Sequence, residues 1–148
     1  MTDMGTDMGK PVQYEQSIGD ILGHLGATHE LMATKGLPHT LSHLIELRVS
    51  QINECAFCVK MHSADARKDG ETSERLDRLA AWRHAKDFTP AEKAAFAWAE
   101  ALTYLERHTD YAALRSELRA HYDDQMISLI TTCVSMINLW NRVQVSKY

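Results

Sequence analysis

Cys55, Cys58 and His62 stand in the pattern C-x-x-C-x-x-x-H. On a helix, Cys55 and Cys58 are i, i+3, Cys58 and His62 are i, i+4, and all three side chains share one face. Helical residues three apart lie about 5 Å from each other, inside the Cα range a disulfide tolerates. Such a pair can pass between dithiol and disulfide with little backbone movement. Thiol chemistry runs through the thiolate, which a helix N-terminus stabilises. A neighbouring imidazole can take the proton or hold the anion. One short segment thus supplies a nucleophile, a resolving thiol and a base.

On spacing alone, three readings stay open. The first is a redox dithiol, the reading C-x-x-C carries in an intracellular chain. The second is zinc binding. Structural zinc wants four ligands, and the zinc reading finds no second C-x-x-C or H-x-x-x-H. His24, His29 or His43 could donate a fourth, but no spacing singles one out. The third is a pair of buried, inert core cysteines, a common state of free Cys.

The elements that must position these residues read as helices. Ile18, Ile21, Leu22 and Leu25 sit at i, i+3, i+4, i+7. Gly36 is a plausible end for that helix, and Pro38 suits the first turn of the next. There Leu41, Leu44, Ile45, Val49 and Ile52 form one stripe. A third helix is expected from about Cys55 to Lys68, closed by Asp69-Gly70, and a short fourth around Leu76, Leu79 and Ala80. Thr89-Pro90-Ala91-Glu92 is the clearest start signal, with a capping threonine, Pro at N1 and a capping-box Glu. Ala95, Trp98, Ala99, Leu102 and Leu105 continue that helix. Leu114 and Leu118 mark a sixth, and Met126, Ile130, Val134, Ile137 and Trp140 a long seventh. No segment alternates with period two. The expected fold is all-α, about seven helices in a single domain. It should span 14–148 behind a flexible tail, 1–13, in which TDMG occurs twice.

Composition narrows the function classes. The chain has 148 residues, 45% apolar and 24% charged, with three cysteines. A chain this long builds its own core and needs no disulfide staples. A formal net charge of −4 argues against a nucleic-acid partner. No apolar run is long enough to cross a membrane, and Met1 to Lys10 has no apolar signal-peptide core. A cytoplasmic location is expected.

Glu46 to Gly70, ELRVSQINECAFCVKMHSADARKDG, resembles the core of the alkylhydroperoxidase D-like group in the carboxymuconolactone decarboxylase superfamily. The likeness continues through Glu74–Thr103 and through INLWNR, Ile137–Arg142. It implies an all-α homo-oligomer, a trimer or hexamer, that uses neither metal nor haem. It implies a thiol peroxidase or related disulfide oxidoreductase. The two cysteines reduce a hydroperoxide and close a disulfide, and an external thiol donor reopens it. Cys55 and Cys58 match the redox pair and His62 the group's histidine. The group's second cysteine attacks the peroxide, which points to Cys58. Helix-dipole reasoning alone favours Cys55, nearer the helix start. The i, i+4 position of His62 supports Cys58. Two other readings remain. One is a cofactor-free decarboxylase or isomerase of the same superfamily, which has no call for a dithiol. The other is a non-catalytic oligomeric binding or redox-sensing protein.

One position departs from the group's pattern. A relay glutamate is expected twelve residues before the first cysteine, and that position is His43. Glu46 lies three residues further on. Either residue could supply the relay, since an imidazole shuttles protons near neutral pH. Without a relay, hydroperoxide turnover would be weak or differ in substrate. The simpler reading of Glu46 is a surface acid or a salt-bridged one, with Arg48 as the nearby partner. Cys133, on an apolar helical face, reads as a core cysteine. The remaining histidines read as surface or helix-end residues, the tryptophans as packing anchors, and Asn138 and Asn141 as a cap or surface hydrogen bond.

Overall fold

Chain breaks fall where a left-handed residue can close a helix. In the computed structural model, which describes residues 8–147, Gly36 and Gly70 have φ of +111° and +96°. Each lets the following N–H reach back to the last turn, Leu37 to the Met32 carbonyl at 3.1 Å and Glu71 to that of Ala66 at 2.9 Å. A third closure of the same kind uses Glu54, with φ +54°, and joins the Cys55 N–H to the Ser50 carbonyl at 3.1 Å.

These breaks separate α1 (Tyr14–Ser17), α2 (Gly19–Thr34), α3 (His39–Ile52), α4 (Ala56–Lys68) and α5 (Ser73–Arg78). A 3-10 helix (Leu79–His84), α6 (Pro90–Tyr104), α7 (Tyr111–Arg119) and α8 (Asp124–Val145) follow. The described residues contain no strand, and the fold is all-α as expected, with eight α-helices where the periodicity suggested about seven. The additional one is the single turn α1, too short for a periodic signal. Residues 8–13 form no helix, and the rest of the expected tail lies outside the described residues. Among the described residues, no helix is long and apolar enough to cross a membrane.

Helix α3 is central and packs on two cores at once. Leu41, Ile45 and Val49 face α6 and α8. Leu44 and Leu47 face a second cluster that includes Ala66, Trp82 and Phe96. The expected capping box at Thr89 and Glu92 starts α6. Two stripe residues differ from expectation. Ile21 is 52% exposed because α2 lies over the bundle on one narrow side. Leu105 is 64% exposed because α6 ends at Tyr104 and Leu105 turns left-handed at its C-cap.

Arg48 takes no part in a pair with Glu46. It donates to Glu100 Oε1 at 2.8 Å, and Trp82 and Arg83 donate to the same buried carboxylate. This joins α3 to the 3-10 helix and α6. Burial works to raise the Glu100 pKa, but the Trp82, Arg48 and Arg83 donors outweigh it and hold the carboxyl below the usual glutamate range.

A depressed carboxyl stabilises the fold above its unfolded-state pKa and stops doing so as pH falls through its folded-state value. Glu100→Gln is therefore expected to lower stability by about 3 kcal/mol at neutral pH and to flatten the acid limb of a urea-unfolding pH series. Glu54→Gly, which removes a left-handed side chain, is expected to raise the urea midpoint, by up to about 1 kcal/mol of stability.

Candidate functional site

The turn between α3 and α4 places the cysteines. Glu54 closes α3, so Cys55 falls one residue before α4 and caps it. Its Sγ accepts the Cys58 N–H at 3.3 Å. Cys55 and Cys58 are joined by a disulfide, with Cα atoms 5.3 Å apart. The turn is clamped onto α8. Asn53 donates to the side-chain oxygens of Asn138 and Asn141, each at 2.9 Å, and Asn141 donates to Ser50 Oγ at 3.0 Å. Asn141 is buried, so it is no surface group, and the Ser and Asn of SQIN are the residues that dock the dithiol turn.

The two sulfurs face different spaces. Cys58 lines a cavity of about 570 Å³ between α2, α3, α4 and α8. Met32, Leu37, Phe57, Met61 and Trp140 give it apolar walls, and His43, Glu46 and His62 are also on its lining. Cys55 lies away from it, on a smaller pocket of about 280 Å³ bordered by Glu54, Phe57 and Val145.

Glu46 is 8% exposed and belongs to the cavity wall, which corrects the surface-acid expectation. Ser42, Glu46 and Ser50 are spaced i, i+4, i+8, a polar stripe that reads as a solvent face but is buried under α4 and α8. Glu46 Oε2 stands 2.9 Å from His62 Nδ1. The ring N–H direction misses the oxygen, so the contact is electrostatic and His62 Nδ1 has no hydrogen-bond partner. The other carboxylate oxygen accepts the Cys133 S–H at 3.8 Å. Cys133 is the buried core cysteine expected, with that one polar contact added. Burial, then the Glu46 charge, pushes its thiol pKa well above the ordinary value.

His43 sits beside this pair. Its Nε2 is 2.7 Å from Asp69 Oδ2, while its Nδ1 is buried without a partner. The contact with His43 holds the exposed Asp69 carboxyl below its usual range. Sequence reasoning gave Asp69 only the role of a turn residue. His29, read as a surface residue, accepts the Trp140 indole N–H at 2.7 Å and lines the cavity. His39 and His43 do stand in H-x-x-x-H, a spacing the zinc reading overlooked, and it was the signal for a polar helix face at this point.

Residues 23–101 match the sequence model of the carboxymuconolactone decarboxylase family. The uncharacterized protein YdfG of Bacillus subtilis (strain 168) is 39% identical over 107 residues, 72% of this chain and 73% of that one. The uncharacterized protein YnjA of Escherichia coli (strain K12) is 32% identical over 96 residues, 65% of this chain and 52% of that one, about half its length. Among solved structures, ATU0492 from Agrobacterium tumefaciens, described as a protein of unknown function and putative antioxidant defence protein AhpD, superposes with a TM-score of 0.85. It is 33% identical, over 93% of this chain and 94% of that one. An uncharacterized peroxidase-related protein from Silicibacter sp. TM1040 shares the fold, with a TM-score of 0.77 at 20% identity over 90% of this chain and 78% of that one.

With the disulfide closed, the only free thiol is the buried Cys133. The native oxidised chain is expected to give no reaction with an aromatic disulfide reagent at neutral pH, and one thiol per chain after denaturation without reductant. Rapid native labelling would show that Cys133 is accessible.

Proposed function

The chain belongs to the carboxymuconolactone decarboxylase family, as an alkylhydroperoxidase D-like member, and from that premise we propose that it is a thiol peroxidase that reduces organic hydroperoxides. The observation that carries this reading is the two-sided dithiol. Cys58 opens on an apolar cavity beside His62 and Glu46, while its disulfide partner Cys55 faces away.

The reaction runs as follows. The Cys58 thiolate attacks the distal peroxide oxygen and breaks the O–O bond. The leaving alkoxide takes a proton held by His62 and departs as the alcohol, leaving Cys58 as a sulfenic acid. The Cys55 thiol attacks that sulfur and passes its proton to the departing hydroxyl, so that water leaves as the disulfide closes. An external dithiol then transfers two electrons and two protons, restores both thiols and is itself oxidised. No bound cofactor is required.

His62 lies one helical turn beyond Cys58 on the same cavity. Glu46 Oε2 stands 2.9 Å from its Nδ1, on the same cavity wall. His43 occupies the position of the group's relay acid and is steered by Asp69. The apolar walls suit the alkyl or aryl part of an organic hydroperoxide better than hydrogen peroxide alone. Phe57 and Met61, 48% and 40% exposed at the cavity wall, give a second copy of the chain an apolar surface to cover. This supports the homo-oligomer that the resemblance implies. A reducing cytoplasm would supply the donor thiol.

The test is the free-thiol count of the reduced chain before and after a stoichiometric organic hydroperoxide, paired with steady-state reduction using a dithiol donor. A loss of two thiols is expected. Turnover should vanish in Cys55→Ser and Cys58→Ser, and fall by roughly 10²-fold or more in His62→Gln. An unchanged thiol count, or equal turnover by wild type and both cysteine variants, would overturn the reading. In the same assay His43→Ala, with intact folding, is expected to slow disulfide formation, and an unchanged rate would remove His43 from the mechanism.

A further inference from the structure

Two buried imidazole nitrogens in the cavity wall lack a hydrogen-bond partner, Nδ1 of His43 and Nδ1 of His62. A buried polar nitrogen without a partner is costly and calls for an explanation. The same two residues and Glu46 each place a ligand atom within 4.8 Å of the others. We propose that His43, Glu46 and His62 form a binding site for a divalent first-row transition-metal ion of the zinc class.

Four features of this cluster support the assignment. First, the donor set is two imidazoles and one carboxylate, a combination that suits zinc and its neighbours and leaves a coordination position for water or a cavity ligand. Second, the spacing is close to that of a ligand set. Two bonds of about 2.1 Å meeting at the tetrahedral angle put their donor atoms roughly 3.4 Å apart. Glu46 Oε2 and His62 Nδ1 are 2.9 Å apart, and the three donors lie within 4.8 Å of one another. Third, their mutual orientation fits. A ring nitrogen whose lone pair points at a shared ion does not point at the neighbouring oxygen, and His62 Nδ1 makes no hydrogen bond to it despite the short distance. Fourth, the outer contacts are those of a ligand set. A metal-bound histidine donates its other ring N–H to a carboxylate or carbonyl. His43 does this through Nε2 to Asp69 at 2.7 Å, which leaves Nδ1 free. Cys133 holds the second oxygen of Glu46.

His62 is 7% exposed, so its orphan nitrogen is aimed into the protein and away from bulk water. The cysteines are outside this ligand set. The site is therefore distinct from a zinc site built on C-x-x-C, but it shares His43, Glu46 and His62 with the proposed peroxidase, so a bound ion withdraws His62 from proton transfer.

The experiment uses tag-free, chelator-treated chain with the disulfide kept closed. Zn²⁺ is titrated by calorimetry and Co²⁺ by visible absorption, on wild type and on variants whose helical circular dichroism is intact. One ion per chain is expected, with cobalt bands that lack thiolate charge transfer. His43→Ala and Glu46→Gln should each weaken binding at least about 10-fold, and Asp69→Ala by about 10- to 100-fold. Cys55→Ser/Cys58→Ser should bind as wild type does. Affinity should fall as pH drops, because the imidazoles must be deprotonated to ligate. The wild-type arm needs no variant to fold. Absence of saturable binding by wild type overturns the proposal. So does undiminished binding by Glu46→Gln, which would move any ion to His39, His43 and Asp69, and so does loss of binding in the cysteine double variant. Because binding is read with the disulfide closed and without peroxide, failure of the metal proposal leaves the peroxidase reading standing.

Discussion

A carboxylate in the middle of a buried helix has to be compensated, and Glu46 sets that requirement for this fold. An unpaired charge at such depth costs several kcal/mol. The chain meets it from three directions. Helix α4 brings His62 against one oxygen, α8 brings the Cys133 S–H to the other, and His43 sits one turn away on α3 itself. Helix α4 can reach only because the Asn53–Glu54 turn is short and fixed to α8 through Asn138 and Asn141. The packing that brings His62 against Glu46 therefore also fixes where Cys58 stands.

The dithiol gains a direction from the same packing. Cys55 caps α4 from outside the helix, and Cys58 lies on its first turn. The two sulfurs share a bond but border separate spaces, one large and apolar, the other small. Helix-dipole reasoning ranks Cys55 first because it counts distance to the helix start alone. Cys58 and His62 line the same cavity and Cys55 does not, a difference the dipole contribution of roughly 0.3–1 kcal/mol leaves out.

Much of this was legible in the residues. Period-3.6 spacing placed the helices, Thr89 and Glu92 marked α6, and C-x-x-C-x-x-x-H put the reactive types together. The destiny of α3's polar stripe was not legible. Glu46 read as a surface or salt-bridged acid, because one sequence does not say which helix will cover the face it shares with Ser42 and Ser50. Asp69, twenty-six residues from His43, is a pairing of the same long-range kind. Ile21 and Leu105 erred in the opposite sense, since periodicity predicts a face but neither how much of it is covered nor where the helix stops.

The central claim is that the sulfur facing the cavity is the one that meets the peroxide. The most direct measurement is mass-spectrometric trapping of sulfenic acid with a cyclic dione, after one equivalent of an organic hydroperoxide, in Cys55→Ser and in Cys58→Ser. The account predicts a stable adduct on Cys58 in the first chain and none on Cys55 in the second. An adduct on Cys55, or none in either chain, would contradict it.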